Sequence, residues 1–283
     1  MPEGGNAMEY AETRTARAGQ VTALDTRAIR RWTNYLLLPL IVPVLILLAW
    51  EALSSQGLIS PIILPAPSTI WDTLVEMVKS GELLGHLRVS LLRVLQGFSV
   101  GGGLGLLVGT GIGLSRRLER ALTLITGLLR PIPIIAWVPV LILWMGIDEG
   151  SKVTVIAIGS FWPVLLNVIQ GIRSTDKKYL EVARILEKSR ATLLLKVIFP
   201  SALPSIFTGL RVGIGIAWMS VIGAELIAAS AGVGYMIMYA RELSQPDVML
   251  VGVISIGITG LGIDFLLRRL EGRLLKWNVN VRG

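Results

Sequence analysis

The sequence predicts an all-α polytopic membrane protein with six transmembrane helices. Of its 283 residues, 53% are hydrophobic. Several apolar runs reach the roughly 20 residues that a helix needs to cross a bilayer. These runs are continuous, whereas the strands of a membrane barrel alternate between apolar and polar residues. The formal net charge of +8 indicates cytoplasmic loops rich in Lys and Arg, and nucleic acid is not expected as a partner.

The start of the chain differs in composition from the rest. Residues 1–34 are polar and lack the apolar core of a signal peptide. We therefore expect a disordered cytoplasmic tail over residues 1–34 and a transmembrane domain over residues 35–283. The first span is placed at residues 35–53.

A surface helix is predicted after the first span and a proline-containing loop. Thr69 and Asp72 have the spacing of a capping box. Ile70, Leu74 and Val78 then recur every four residues, which is typical of an amphipathic helix lying on the membrane.

Five further spans are predicted, at residues 87–114, 121–145, 153–172, 201–228 and 248–267. The second span contains glycines at every fourth position: Gly101, Gly105, Gly109 and Gly113. On a helix they form a flat ridge that permits close packing of another helix. A phosphate-binding loop is disfavoured, because no strand precedes these glycines and no GxxxxGK[ST] motif follows.

The third span is interrupted by prolines. Arg130 is followed by Pro131 and Pro133, and Pro139 lies further along. We expect two breaks in this helix, which a membrane protein tolerates where the backbone lines a cavity or packs on protein.

Charge asymmetry orients the six spans. With a cytoplasmic N-terminus, 20 of the 27 Lys and Arg residues fall in inner segments, and three, Lys79, Lys152 and Arg241, fall outside. The positive-inside rule then predicts that both termini and the loop between the fourth and fifth spans are cytoplasmic.

That loop, residues 176–204, contains six Lys and Arg residues. Each charge at the bilayer centre costs roughly 2.5–3.5 kcal/mol, so the loop belongs in water. Apolar residues recur in it at helical spacing: Tyr179, Leu180, Ala183 and Leu186. We predict a short amphipathic helix, a turn near residues 188–189, a second helix to about Phe199, and helix ends at Pro200 and Pro204.

The same loop resembles the EAA loop of ABC-importer permeases. The family pattern is Glu-Ala-Ala, three residues, Gly, nine residues and Ile-x-Leu-Pro. Here Glu181-Val182-Ala183 is followed after three residues by Glu187, and after nine more by VIFP at residues 197–200. The resemblance implies the type I permease fold, with a coupling helix between spans four and five that docks on a cytoplasmic ATPase.

The resemblance assigns ATPase coupling to these residues: Tyr179, Leu180, Glu181, Val182, Ala183, Arg184, Leu186, Glu187, Ser189 and Pro200. Glu187 departs from the family, which has Gly at this place. Glycine adopts a positive φ at a helix end at little cost, and glutamate does not. We therefore expect the turn after the first coupling helix to be built differently here.

Four further motifs resemble the permease branch for aliphatic sulfonates, taurine and nitrate: ILPAP at residues 63–67, WMGIDE at 144–149, FTGLR at 207–211 and GVGY at 232–235. The resemblance implies a homodimer in the bacterial inner (plasma) membrane. It also implies two copies of an ATPase subunit that binds ATP and Mg²⁺, and a periplasmic or lipid-anchored binding protein. An aliphatic sulfonate is the first expectation for the substrate, nitrate or bicarbonate the second, and a cationic vitamin precursor the third.

Three charged residues in or beside spans are candidates for the translocation path: Arg130, Arg211 and Glu225. Ionisable groups inside a membrane commonly mark function. Glu225 is alternatively a solvated or capped interfacial residue. For the two arginines, snorkelling or a bond to a helix carbonyl is the favoured alternative. Asp264 and Arg268 are expected to form a structural pair four residues apart.

No catalytic set is visible in the sequence, and an enzyme is not expected. The chain has no cysteine and one histidine, His86, which is expected to be interfacial, so no metal site is predicted. The Gly146–Lys152 stretch has the wrong spacing for an ATP-binding loop. A secondary transporter would need an acid or histidine relay at the membrane centre, for which Glu225 is almost the only candidate. A membrane scaffold that transports nothing would not need so charged a helical loop in the cytoplasm as residues 176–204.

Overall fold

The computed structural model describes residues 40–275, apart from the side chains of Lys177 and Arg184. Every regular element in this range is helical, so the all-α prediction is confirmed. The helices are α1 (Leu40–Ser55), α2 (Pro67–Lys79), α3 (Glu82–Leu114), α4 (Arg116–Leu129), α5 (Ile134–Met145), α6 (Glu149–Arg173), α7 (Lys177–Ile185), α8 (Arg190–Leu193), α9 (Phe199–Ala228), α10 (Val233–Glu242) and α11 (Pro246–Leu274). A π-helical turn, Leu194–Ile198, joins α8 to α9. The predicted tail and the start of the first span lie outside the described residues.

The described part of the chain divides into two units, with the boundary between residues 68 and 69. In the described part of the first unit, α1 is fixed to the loop that follows it. The Trp50 indole N–H donates to the Pro65 carbonyl at 3.1 Å, and the Ser54 hydroxyl donates to the Leu64 carbonyl at 3.0 Å. The Glu51 carboxylate accepts from the backbone and hydroxyl of Ser68. The predicted capping box is wrong, because α2 begins at Pro67 and Thr69 already lies inside it.

The core of the second unit is α6, which packs between α3 and α9. The glycines on α3 lie against α6. A Cβ at Gly105 would come within 2.8 Å of the Phe161 carbonyl oxygen, and a Cβ at Gly109 within 2.9 Å of the Leu165 oxygen. Backbones approach this closely only where no side chain intervenes. Gly101 also lies against the α6 backbone, at the Ala157 carbonyl, whereas Gly113 lies against the Ile172 side chain.

Small residues on α9 contact the other side of α6. A Cβ at Gly213 would lie 2.8 Å from a Val164 methyl group, and one at Gly209 would lie 2.6 Å from Asn167. Ala217 is completely buried on the same face. Because α6 is apolar enough to be buried on both sides, the three helices form one closely packed layer.

Among the described residues, four segments are long and apolar enough to cross a membrane: α3, α6, α11 and the segment that contains α9. The pair α4 and α5 passes the same test together, but it is bent by 93° at residues 130–133. The predicted break at these prolines is therefore present. The second predicted break is wrong, since α5 continues through Pro139.

The loop predicted before the sixth span contains a helix of its own. Residues 230–247 include α10, which turns back into α11. The Trp218 indole N–H on α9 donates to the Ile256 carbonyl on α11 at 3.1 Å, so α9 and α11 are also fixed to each other.

Candidate functional site

The charged loop after α6 folds as a helical elbow, which we define as α7, the turn after it and α8. Asp176 starts α7, because its carboxylate accepts from the Lys178 N–H at 2.9 Å, as an N-terminal cap does. Ala183 of this helix is buried, only 8% exposed. The side chain of Arg184 lies outside the described residues.

Large apolar side chains of the elbow are exposed. Tyr179 is 61% exposed, Val182 53% and Ile185 80%, and Leu186 follows at 59%. Glu181 also lies on the exposed surface. A contiguous apolar surface on an otherwise charged segment is typical of a protein interaction site.

The turn after α7 has the backbone of a Schellman motif. Glu187 adopts φ 48°, and the Lys188 N–H donates to the Ala183 carbonyl at 3.0 Å. This six-to-one bond is the defining contact of a motif that normally has glycine at the left-handed position. The expectation that this turn would be built differently is therefore wrong. The turn keeps the usual geometry, and glutamate adopts the left-handed conformation.

The second half of the elbow continues into the membrane helix without a break. Ser189 caps α8 by accepting from the Thr192 N–H at 3.3 Å. The π turn follows, and Pro200 lies in the first turn of α9. A π turn shifts the hydrogen-bond pattern, which suits a place where proline donates no N–H. The helix ends predicted at Pro200 and Pro204 are wrong, because both prolines lie within α9.

A groove of about 660 Å³ runs between α7 and the start of α9. We call it the elbow groove. One wall is a face of α7, and the other is the π turn with the first turns of α9. Its lining residues are Tyr179, Val182, Ala183, Leu186, Lys188, Lys196, Val197, Pro200, Ser201 and Pro204.

An ion network lies at the opposite end of α9, and it is buried except at the Glu149 side chain, which is 60% exposed. Arg93 on α3 is 4% exposed, and its guanidinium donates to the Glu225 carboxylate at 2.8 Å. The same guanidinium makes two 2.6 Å bonds to the Glu149 carboxylate at the start of α6. It also donates to the Ala231 carbonyl at 2.6 Å. Lys152 lies 3.3 Å from Glu149, so the four charges balance.

Side chains of the network and its neighbours on other helices also cap the N-terminus of α10. The Gly234 N–H donates to Glu225 at 2.9 Å, the Val233 N–H donates to the Ser90 hydroxyl at 3.0 Å, and the Gly232 N–H donates to Nδ1 of His86 at 3.1 Å. The first N–H groups of a helix have no partner within it. Here three side chains from α3 and α9 supply the acceptors.

Gly232 is required by this arrangement. Its φ is 114°, a conformation that L side chains rarely adopt. A Cβ at this position would also overlap the Glu225 carboxylate. The backbone can approach the acid only because no side chain intervenes.

The three predicted path residues have separate environments. Glu225 is 1% exposed, and its carboxylate accepts hydrogen bonds from Ser90 and Arg93 of the network. Arg211 is one-third exposed and donates to Glu271 on α11 at 2.9 Å. Arg130 ends α4 and is exposed. These three residues therefore do not form a common site in this conformation.

Sequence reasoning missed the partners of Glu225. Arg93 is a charge inside a predicted span, and an intramembrane arginine requires a partner, so a pairing with Glu225 could have been expected. Ser90 and Glu149 carried no comparable signal. His86, expected at the interface, acts as a backbone acceptor. The predicted pair of Asp264 and Arg268 is confirmed, with a bond of 2.7 Å.

Comparison with known sequences identifies the family. The family described as "Binding-protein-dependent transport system inner membrane component" matches residues 101–276. The chain is 42% identical over 274 residues to the putative aliphatic sulfonates transport permease protein of Bacillus subtilis, covering 94% of this chain and 98% of that protein. It is 36% identical to the taurine transport system permease protein of Escherichia coli, covering 84% and 88%. It is 33% identical to the bicarbonate transport system permease protein of Synechococcus elongatus, covering 90% and 99%.

Solved structures agree on the fold. A chain of an amino acid ABC transporter superimposes with a TM-score of 0.60 at 19% identity, covering 71% of this chain and 98% of that one. A chain of the MetNI methionine ABC transporter gives a TM-score of 0.54 at 18% identity, covering 64% and 92%. The protein is thus a multi-pass membrane transport component rather than an enzyme, and it belongs to the family of binding-protein-dependent transport system inner membrane components.

Proposed function

We propose that this chain is the membrane-spanning subunit of an ATP-driven importer, and that the elbow couples it to an ATPase. The observation that carries this proposal is the set of exposed apolar side chains on α7, of which Ile185 is 80% exposed. Fully burying one such side chain stabilises a complex by about 1.5–3 kcal/mol. Such a surface on a charged segment is accounted for by a protein partner that covers it.

The buried network argues against a proton-coupled carrier. A relay needs an acid that can release and take up a proton during transport. Glu225 instead accepts from Arg93, Ser90 and Gly234, and its charge is balanced within the network. Protonating Glu225 would weaken its bond to Arg93 and disturb its bonds to Ser90 and Gly234, so energy supplied from outside the chain is the better explanation.

The proposed assembly has two copies of this chain, two ATPase subunits that bind ATP and Mg²⁺, and a periplasmic or lipid-anchored binding protein. We place six spans in the inner membrane: α1, α3, the bent pair α4 and α5, α6, α9 and α11. Both termini and the elbow lie in the cytoplasm, as the positive-inside rule predicts. ATP binding closes the ATPases, and the elbows transmit the movement so that the pathway opens alternately to each side.

The substrate that we propose first is an aliphatic sulfonate. Support comes from the relatives, whose names specify aliphatic sulfonates, taurine and bicarbonate. These relatives favour a small anion or its zwitterionic analogue. Taurine, nitrate and bicarbonate are the alternatives, and a cationic vitamin precursor ranks last.

Coupling is tested by changing the exposed face of α7 outside the elbow groove. In the reconstituted complex, Glu181→Arg and Ile185→Asp should each reduce transport-coupled ATPase activity at least tenfold and release the ATPase from the permease. The matched control is Arg268→Gln, which removes an exposed charge on α11. Unchanged ATPase binding and uptake in both α7 variants would contradict the coupling role.

A further inference from the structure

We propose that Arg93 and Lys152 form a binding site for the charged group of the substrate, and that the Glu149 carboxylate occupies this site in the structure. This inference rests on the proposed transport of a small anion and names the residues that would receive it. The ligand chemistry that fits is a compact, singly charged oxyanion with three oxygens, as in a sulfonate, nitrate or bicarbonate.

The guanidinium of Arg93 has two edges with different contacts. Its Nη1 atom donates to Glu225 at 2.8 Å and to the Ala231 carbonyl at 2.6 Å, so this edge joins α3 to the end of α9 and the loop after it. Its Nε and Nη2 atoms each donate to Glu149 at 2.6 Å. Two parallel donors of this kind bind an oxyanion in bidentate fashion. If Glu149 leaves, the first edge keeps its bonds and the second edge presents a preformed pair of donors.

The two cations are buried, whereas the anion between them is exposed. The side chains of Arg93 and Lys152 are 4% and 5% exposed, and that of Glu149 is 60% exposed. Glu149 is also the first residue of α6, so its carboxylate lies at a helix end and is already largely in water. Of the charged groups in the network, Glu149 is therefore the one that an incoming anion can replace.

The exchange keeps the charges of the network balanced. Arg93 and Lys152 are paired with Glu149 and Glu225, two positive charges with two negative ones. A singly charged anion in the place of Glu149 gives the same sum. A neutral ligand would leave buried positive charge without compensation, which is strongly destabilising. The network thus selects an anion over a neutral solute.

One oxygen of Glu149 is shared, which indicates the anion that fits best. Oε1 accepts from Nη2 of Arg93 at 2.6 Å and from Nζ of Lys152 at 3.3 Å. A third oxygen on the ligand would give Lys152 an acceptor of its own. Sulfonate, nitrate and bicarbonate have this third oxygen, and a carboxylate does not.

The test is the binding of methanesulfonate to the purified full chain, measured from the rise of the melting temperature with ligand concentration. Glu149→Gln should bind methanesulfonate about tenfold or more tightly than the wild type, because no charge-assisted bond has to be broken first. Glu149→Ala should show the same gain, and the additional change Lys152→Met should abolish it. Acetate should bind more weakly than methanesulfonate. Dimethyl sulfone, a neutral molecule of similar shape, should not bind.

The matched control is Glu119→Gln. It also removes a carboxylate from an arginine, but that arginine, Arg173, is 38% exposed. Water already reaches this cation, so an ion pair there contributes little. The affinity of Glu119→Gln for methanesulfonate should equal that of the wild type.

Each outcome supports or overturns the anion site. It is overturned if neither Glu149 variant gains affinity, or if acetate or dimethyl sulfone binds as well as methanesulfonate. Equal binding of chloride would show an adventitious ion only, and a gain with phosphatidylglycerol but not with methanesulfonate would show a lipid headgroup site; both results overturn the inference. If the anion site fails while Ile185→Asp still releases the ATPase, the coupling role stands. If methanesulfonate binds as expected while Ile185→Asp leaves ATPase binding and uptake unchanged, the coupling role fails and the anion site stands.

Discussion

Replacing Ser90 with alanine tests whether the buried network fixes the start of α10. The Ser90 side chain is completely buried. Its hydroxyl donates to Glu225 at 2.8 Å and accepts from the Val233 N–H at 3.0 Å. Alanine removes one oxygen and changes little else, so the perturbation is confined to these two bonds.

The expected free-energy cost comes from the two groups that lose a hydrogen-bond partner in Ser90→Ala. The Val233 N–H loses its acceptor in a buried environment, and such an orphaned group costs about 1–3 kcal/mol. Glu225 loses one donor but keeps Arg93 and Gly234, which adds about 1 kcal/mol. The total is about 2–4 kcal/mol for opening of the α10 start. Since each 1.36 kcal/mol is a factor of ten, exchange of the Val233 amide should accelerate at least about 30-fold.

Hydrogen exchange measured by mass spectrometry on the purified protein gives this rate for peptides that contain the start of α10. The matched control is Ser160→Ala. Ser160 is equally buried, but its hydroxyl donates only to carbonyls of its own helix, at 3.0 and 3.2 Å. Its loss leaves no backbone N–H without a partner. Equal exchange at α10 in the two variants would refute the capping role of Ser90.

Three further predictions concern other parts of the structure. Glu187→Gly should stabilise the elbow turn by about 1 kcal/mol, because a left-handed residue with a side chain is strained by roughly that amount. Amide exchange in the turn should then slow about fivefold, whereas Glu187→Ala should not slow it. Gly101→Ala should lower the melting temperature, since its Cβ would overlap the backbone of α6, and Gly103→Ala, which has open space, should not; equal losses would contradict the packing role. Arg211→Met should destabilise the protein by leaving Glu271, 12% exposed, without its partner, and the additional change Glu271→Met should restore stability. If uptake stays lost in the stable double variant, Arg211 acts in the transport path.

The helices of the core were predictable because their signals are local. Continuous apolar runs predicted α3, α6, α9 and α11, and the observed helix ends differ from the predicted ones by a few residues. The glycine spacing on α3 also pointed to close packing, although it could not say which helix would be the neighbour. Proline was the misleading signal: α5 continues through Pro139, and α9 contains Pro204, because membrane helices tolerate proline where neighbouring groups satisfy the backbone.

The buried network was not predictable in full, because its bonds join distant parts of the chain. Arg93 contacts Glu149 and Glu225, which lie 56 and 132 positions later. The helix α10 was missed for a related reason. Its glycines, Gly232 and Gly234, are typical of a loop, and the groups that stabilise its first turn belong to α3 and α9. A helix whose caps come from elsewhere has little local signature.

The elbow and the network are connected by a single element. The helix α9 is 30 residues long, about 45 Å at 1.5 Å per residue. Its first turn follows the elbow directly, and Glu225 lies three residues before its end. Through Gly209 and Gly213, α9 packs closely on α6, so the part of α9 between the elbow and Glu225 is fixed to the core of the second unit. In the proposed coupling, a movement of the elbow would be passed along α9 to Glu225 and to the start of α10, whose Gly234 N–H bonds to this carboxylate.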